Sequence, residues 1–290
     1  MMTRLTCLVI LLFCATWLPA QKLSGGFKSG LNFSTFRGPS EMNAEGEALE
    51  QFKTNTGFHI GAAFRLSFSD YFGLRAELLY SQKGVDYTYE GQSYWTFVNT
   101  STPQYTVGNR VTIISINNSY IDLPLMAYVR LGRLELSGGI NASVLLGSIG
   151  TGDLTYSGTT QGGVSLDPFT LALDFNYFRD RYQGYNTYEN HVFPVGNSQL
   201  EVPKNIGAYY EGADNGEDLF KRTDFGLNAG ISFYLNKGLY LGFRANFGLT
   251  DVTNTQQDIS RFRLDANNGY IFRDDVDKNL SFQTSIGFSL

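Results

Sequence analysis

Polar and apolar residues alternate one for one along much of this chain, the period of a strand whose two faces meet different surroundings. Over Phe58–Phe68, one face carries Phe58, Ile60, Ala62, Phe64, Leu66 and Phe68. The other carries His59, Gly61, Ala63, Arg65 and Ser67. Ser69-Asp70-Tyr71 turns the chain into Phe72–Lys83. There Leu74, Ala76, Leu78 and Tyr80 oppose Arg75, Glu77, Ser81 and Lys83, with Leu79 among the charges. The same alternation predicts strands over Gly26–Ser34, Tyr120–Leu131, Leu134–Leu146, Asp224–Leu235, Leu239–Leu249 and Leu280–Leu290. Pro124 lacks the N–H of a regular ladder and marks a bulge or an edge.

The connections alternate too. Those around Asp70, Gly132 and Lys237 are tight, whereas 35–56, 84–118, 147–222 and 250–278 read as long loops. About eight strands with short turns at one end and long loops at the other predict an all-β, antiparallel up-and-down barrel that crosses an outer membrane, long loops outside. The stretch FTLALDFNY at 169–177 also alternates. It predicts a hairpin that extends the sheet above the membrane, with a ten-stranded barrel as the alternative.

Alternation alone does not say which face is inside, because a soluble lipocalin-like barrel alternates as well. The apolar faces carry no charge. The polar faces, such as Lys28, Gly30, Asn32, Ser34 and Ser281, Gln283, Ser285, Gly287, Ser289, are poor in the Lys and Glu of a water-facing surface. Glycine beside a few long charged residues fits a narrow lumen, where small neighbours leave room for arginine. The expected lumen charges are therefore Arg65, Arg75, Lys83, Arg130 and Arg244, meeting Glu77, Asp122 and Asp224. Eight strands enclose only enough space for side chains to fill, which predicts a plugged barrel rather than an open pore.

Composition agrees. Of 290 residues, 17% are charged and 15% aromatic, with 32 Gly against 7 Pro. A formal charge of −5 argues against a nucleic-acid-binding face. The opening MMTRLTCLVILLFCATWLPAQ has the Arg4 n-region, the apolar run to Trp17 and the Leu18-Pro19-Ala20 cleavage site of a secretory signal. Its removal as residues 1–20 leaves 21–290 as the barrel domain, with a large extracellular insertion at 147–222. Losing Arg4 moves the charge from −5 to −6. Cys7 and Cys14 both leave with the signal, so the mature chain forms no disulfide. Bulky Phe13 argues against Cys14 as a lipid-attachment site.

GFKSGLNFSTFRG at 26–38, GFHIGAAFRLSFSDYFGLRAELLYSQKG at 57–84, YIDLPLMAYVRLG at 120–132 and FGLNAGISFYLNKGLYLGFRANFGLTD at 225–251 together resemble the PorT-like outer-membrane β-barrel family of Bacteroidetes. Asp122 stands where that family's YLEIP-like strand carries Glu. The resemblance implies a place in the outer membrane of a diderm bacterium, with lipid around the barrel. It implies no single activity, although the family's namesake takes part in protein secretion by the type IX pathway. It does not cover 147–222.

Candidate chemistry is sparse. His59 lies on the polar face near the expected outer rim, and Asp224 starts a strand at the same rim, so a His–carboxylate pair is conceivable there. No G-x-S-x-G accompanies it. Without HExxH or a cysteine pair a zinc site is not indicated. The acidic segments at 265–269 and 274–277 lack EF-hand spacing, and Gly147–Gly163 lacks a P-loop lysine. No catalytic, cofactor or metal residue is assigned. The loops are rich in tyrosine, including Tyr87, Tyr89, Tyr94, Tyr105, Tyr182, Tyr185, Tyr188, Tyr209 and Tyr210, a residue suited to recognition surfaces. The expected protein is a non-enzymatic outer-membrane barrel whose loops bind an extracellular or envelope protein, or support secretion or envelope integrity. The alternatives are a barrel enzyme using His59 and a small low-conductance pore.

Overall fold

The computed structural model describes residues 22–97, 104–185, 189–195 and 198–290. The expected signal at residues 1–20 and Tyr188 lie outside them. Eight strands close into a ring: β1 (Lys22–Arg37), β2 (Glu50–Ser67), β3 (Phe72–Phe97), β4 (Gln104–Leu131), β5 (Leu134–Thr160), β10 (Thr223–Tyr234), β11 (Leu239–Gly248) and β12 (Lys278–Ser289). Each pairs antiparallel with the next. The seam joins β1 to β12, from Gly26↔Ser289 to Arg37↔Lys278, and β5 meets β10 from Leu134↔Phe233 to Val144↔Thr223. Closure leaves no unpaired edge in the ring, the condition for strands to cross lipid.

The turns at the near end use the expected chemistry. Ser69 Oγ accepts the N–H groups of Tyr71 and Phe72, and Asn236 Oδ1 accepts those of Gly238 and Leu239. Gly132 adopts φ +65°, a conformation glycine takes without steric cost.

The outer wall is the apolar face. Phe27 is 69% exposed, Phe64 53% and Ile286 61%, whereas Asn32, His59, Ser81 and Ser281 inside are each 0% exposed. The glycines of the polar face have a reason beyond making room for arginine. A Cβ on Gly30 would overlap the Thr284 carbonyl oxygen of β12, and one on Gly61 would overlap that of Leu78. Tight coiling of the strands, not only lumen space, requires the missing side chain there.

Three strands run far beyond the predicted limits. β3 continues past Lys83 to Phe97, β4 begins at Gln104 rather than Tyr120, and β5 continues past Leu146 to Thr160. Most of what reads as loop at 84–118 is therefore ladder, from Gly84↔Asn117 to Phe97↔Gln104. The reason is a change of phase. Within the membrane, β3 turns Arg75, Glu77, Ser81 and Lys83 inward. Above it, the same inward positions are Val85 and Tyr89, both fully buried. Lipid wants the apolar face outside and water wants it inside, so apolar residues move from even to odd positions without a break in the strand. In β5 an extra residue, Leu146, adds a bulge opposite Ser119/Tyr120 and interrupts the period of two.

The projecting strands carry a second layer. β6 (Phe169–Asn176) pairs with β5 from Ile149↔Asn176 to Tyr156↔Phe169, above the level where β10 leaves that edge. It extends the sheet above the membrane and adds no strand to the ring. β9 (Asn205–Ile206) adds parallel to β6, and β7 (Asn190–Val195) and β8 (Ser198–Pro203) form a separate hairpin. Trp95, Tyr156, Phe169, Leu171, Val202 and Tyr210 are central to the buried core of this outer part.

Candidate functional site

Two buried regions collect the chain's chemistry: the membrane-level lumen and a chamber above it. In the lumen, Glu77 of β3 is a hub. Its Oε2 lies 2.5 Å from Arg244 Nη2 and 3.3 Å from Lys28 Nζ, and its Oε1 lies 3.4 Å from Arg75 Nε. Arg75 reaches on to Glu135 Oε1 at 3.0 Å, and Arg65 Nη2 meets Glu135 Oε2 at 2.8 Å. Tyr234 OH bonds both Arg65 and Glu135. A second unit sits further out, where Asp122 accepts Lys83 Nζ at 2.8 Å and Ser143 Oγ at 2.6 Å. All these side chains are buried, and charges removed from water are tolerable only when paired in this way.

Of the sequence-predicted charges, Arg65, Arg75, Glu77 and Arg244 join the hub network, and Lys83 pairs with Asp122. Arg130 does not enter it. Arg130 is half-buried at the near mouth, donates to the Gly132 carbonyl at 3.2 Å and lies 3.9 Å over the Tyr234 ring. Asp224 has no ion pair among the described residues and instead accepts Thr250 Oγ1 at 2.8 Å and Asn279 Nδ2 at 2.9 Å. The sequence reading missed Lys28 and Glu135 as charged members. Strand parity held the signal for both: Lys28 shares a face with Asn32 and Ser34, and Glu135 with Asn141 and Ser143.

His59 is not at the rim. β2 runs nine residues further outward, to Glu50. Its ring is held between Asn32 Oδ1 at 2.7 Å and Ser285 Oγ at 3.2 Å. The conceivable pairing with Asp224 is not formed; His59 meets neutral partners only.

The outer chamber is lined by charged loops that the sequence reading left unassigned. Arg110 grips both carboxylate oxygens of Glu211 at 3.0 and 2.8 Å, with Arg261 3.7 Å away. Glu50 accepts Tyr87 OH at 2.9 Å and meets Arg273 at 2.8 Å. Arg273 also contacts Asp275 and lies 3.9 Å from Asp258. Oxygens of Asp258, Asp275 and Asp277 lie within 4.8 Å of one another. Glu50, Asp258 and Asp275 share the Arg273 guanidinium and Asp277 has no ion pair among the described residues, and the protonation states follow. Burial, with Asp275 adding to it, pushes Asp258 up to about 8 despite Arg273. Burial and the Asp275 charge push Asp277 up to about 6. The 265–269 segment is a turn capped from within, Asp265 Oδ1 accepting the N–H groups of Asn267 and Gly269 at 2.8 and 2.7 Å.

A closed antiparallel ring with an oily exterior and an ionic interior is the arrangement of an outer-membrane barrel, and residues 19–254 match the outer membrane protein beta-barrel domain family. The chain belongs to that family. Its place is the outer membrane of a Gram-negative bacterium. No curated protein matches the sequence. Among solved structures, the barrel is similar to the attachment invasion locus protein Ail of Yersinia pestis, crystallised with the heparin analogue sucrose octasulfate. That likeness has 10% identity and a TM-score of 0.36, over 93% of this chain and 99% of Ail. It is similar to OprG of Pseudomonas aeruginosa at 9% identity and TM-score 0.37, over 93% and 97% of the two chains. It is also similar to the protease OmpT of Escherichia coli at 9% and 0.29, over 92% and 95%. No function passes to this barrel from likenesses this distant.

Proposed function

We propose that this barrel is a non-enzymatic docking protein of the outer membrane: a sealed lumen anchors a folded extracellular domain that receives a protein partner. The observation that carries this reading is the outer half itself. β3, β4 and β5 project well beyond the bilayer, β6 widens their sheet, and a core centred on Trp95 and Phe169 fixes the surface they present. Strands of 26, 28 and 27 residues exceed the roughly 10 needed to cross a bilayer. Alternate outward positions of β4, Val107, Val111 and Ile113, remain exposed, and exposed apolar residues in series suit association.

Two further observations support the reading. Fully buried His59 is bonded to Asn32 and Ser285 and meets no carboxylate among the described residues. The Glu77 network fills the space through which solutes would diffuse. The expected secretory signal and the resemblance to PorT-like barrels of Bacteroidetes support a partner within the envelope, as part of a secretion or integrity function. Photo-crosslinkers at 147–222 and at Ile113 in intact cells test it. A discrete crosslinked protein is expected; capture of nothing at either place sinks the docking role.

A further inference from the structure

The outer half encloses a cavity of about 160 Å3, the scale of a cavity that holds one benzene ring. One wall is aromatic. Tyr87, Phe52, Phe36, Phe220 and Tyr177 follow one another at ring-centroid distances of 5.6, 6.4, 6.0 and 4.9 Å. The other wall is charged. Pairing consumes most of it: Glu211 is held by Arg110 and Arg261, and Glu50 takes Arg273. Asp258 and Asp277 remain on the lining without a cation of their own, Arg273 being shared with Glu50 and Asp275.

Buried polar atoms are seldom left idle, and those that are call for water or a ligand. Three on this lining have no partner: Arg110 Nε, Asp277 Oδ1, on a side chain 5% exposed, and Gln257 Oε1, on one 7% exposed, so the acceptors outnumber the donor. The two walls also touch. Tyr87 donates to Glu50, which binds Arg273. Phe220 bridges to Thr253, whose hydroxyl lies 3.4 Å from Asp277 Oδ2.

We propose that this chamber binds a small organic ammonium, a single ring or comparable hydrocarbon body bearing a protonated amine. The body packs on the Phe36–Phe220 wall, and the ammonium sits against Asp277 and Asp258. Rings attract a cation through their faces, and the ammonium donates to the Asp277 oxygen that has no partner. A neutral hydrocarbon leaves those carboxylates unmatched, an anion adds to them, and a bare divalent ion leaves the aromatic wall empty. The site is separate from the outer surface assigned to a protein partner.

The test uses three probes with one ring and different heads: benzylamine, benzyl alcohol and benzoate. Each is titrated calorimetrically into the full chain refolded in detergent. Benzylamine is expected to bind about ten-fold or more tightly than benzyl alcohol, with benzoate silent. Asp277→Asn brings benzylamine down to the level of benzyl alcohol. Ala208→Leu, which fills the cavity without touching a charge, weakens both. Equal affinity for amine and alcohol, or no binding of benzylamine, overturns the proposal. So does indifference to either substitution. Calcium that binds in place of benzylamine makes the acidic wall a metal site, and overturns it too.

Discussion

Arg244 Nη2 lies 2.5 Å from Glu77 Oε2 although the two residues stand on opposite walls of the barrel. β11 and β3 are four strands apart whichever way the ring is counted. The ion pair is therefore a strut across the full width of the lumen. Lys28 and Arg75 meet the same carboxylate, so one residue ties β1, β3 and β11 together.

Replacing that hub by Glu77→Gln keeps its shape but strands two buried cations, Lys28 and Arg244, while Arg75 keeps Glu135. Breaking a buried ionic group on one side costs about 3–5 kcal/mol. Urea-dependent unfolding from lipid vesicles is expected to show a loss of that size. A loss under about 1 kcal/mol would show that the network is incidental to stability.

Removing both ends of the strut opens space without leaving this pair half-matched. In planar bilayers the wild-type barrel is expected to be silent and the Glu77→Ala/Arg244→Ala double variant to conduct. Steady conductance by the wild type would contradict a sealed lumen.

Phe64 and Arg65 are consecutive and face opposite ways, 53% and 9% exposed. Spin labels at the two positions are expected to divide accordingly, with bilayer-soluble quenchers reaching position 64 and not 65. The reverse pattern would turn the barrel inside out.

The acidic cluster predicts a pH response confined to the outer segment 250–277. Unfolded, Asp258 and Asp277 titrate near 4; folded, they are pushed up to about 8 and about 6. Raised carboxyl values mean that the folded state keeps protons the unfolded chain has released. Stability is therefore complete below pH 4 and declines as pH climbs towards 8. Hydrogen exchange corrected for intrinsic rate is expected to show more protection at pH 5 than at pH 8. Asp258→Asn flattens the difference; an unchanged difference in that variant would place its origin elsewhere.

The seam is sensitive to one methyl group at one position and not at another. Gly30→Ala drives a Cβ into the Thr284 carbonyl across the β1–β12 ladder, whereas a Cβ on Gly25 meets nothing within 4 Å. Gly30→Ala is expected to lower the temperature at which heat-modifiable gel mobility is lost, and Gly25→Ala to leave it in place.

The membrane-level barrel was legible in the sequence because lipid enforces a strict period of two, as in Phe58–Phe68, with turns at Ser69 and Asn236 that name themselves. The outer half was not. Beyond Gly84 the apolar residues shift to the other parity, and Leu146 adds a bulge, so continuous strands read as loops. The lumen charges were legible by face but not by partner. Arg65 meets Glu135, 70 positions away, and no local pattern carries that pairing. Asp258 joins Asp275 and Asp277 only when the loop folds back, which is why the segment 274–277 alone gave no sign of an acidic wall.

The parity change at Gly84 lies near the bulge at Leu146, because Lys83 pairs with Asn118 and Ser119 with Gly147. The two strands that flank β4, β3 and β5, thus change pattern at one level of the barrel. Shifted outward along the bilayer normal, the molecule would bare its greasy belt to water; shifted inward, it would press Asp86, Thr88 and Glu90 of upper β3 into lipid. Its depth of immersion is fixed, and any mismatch with the thickness of the host bilayer must be absorbed by the lipid.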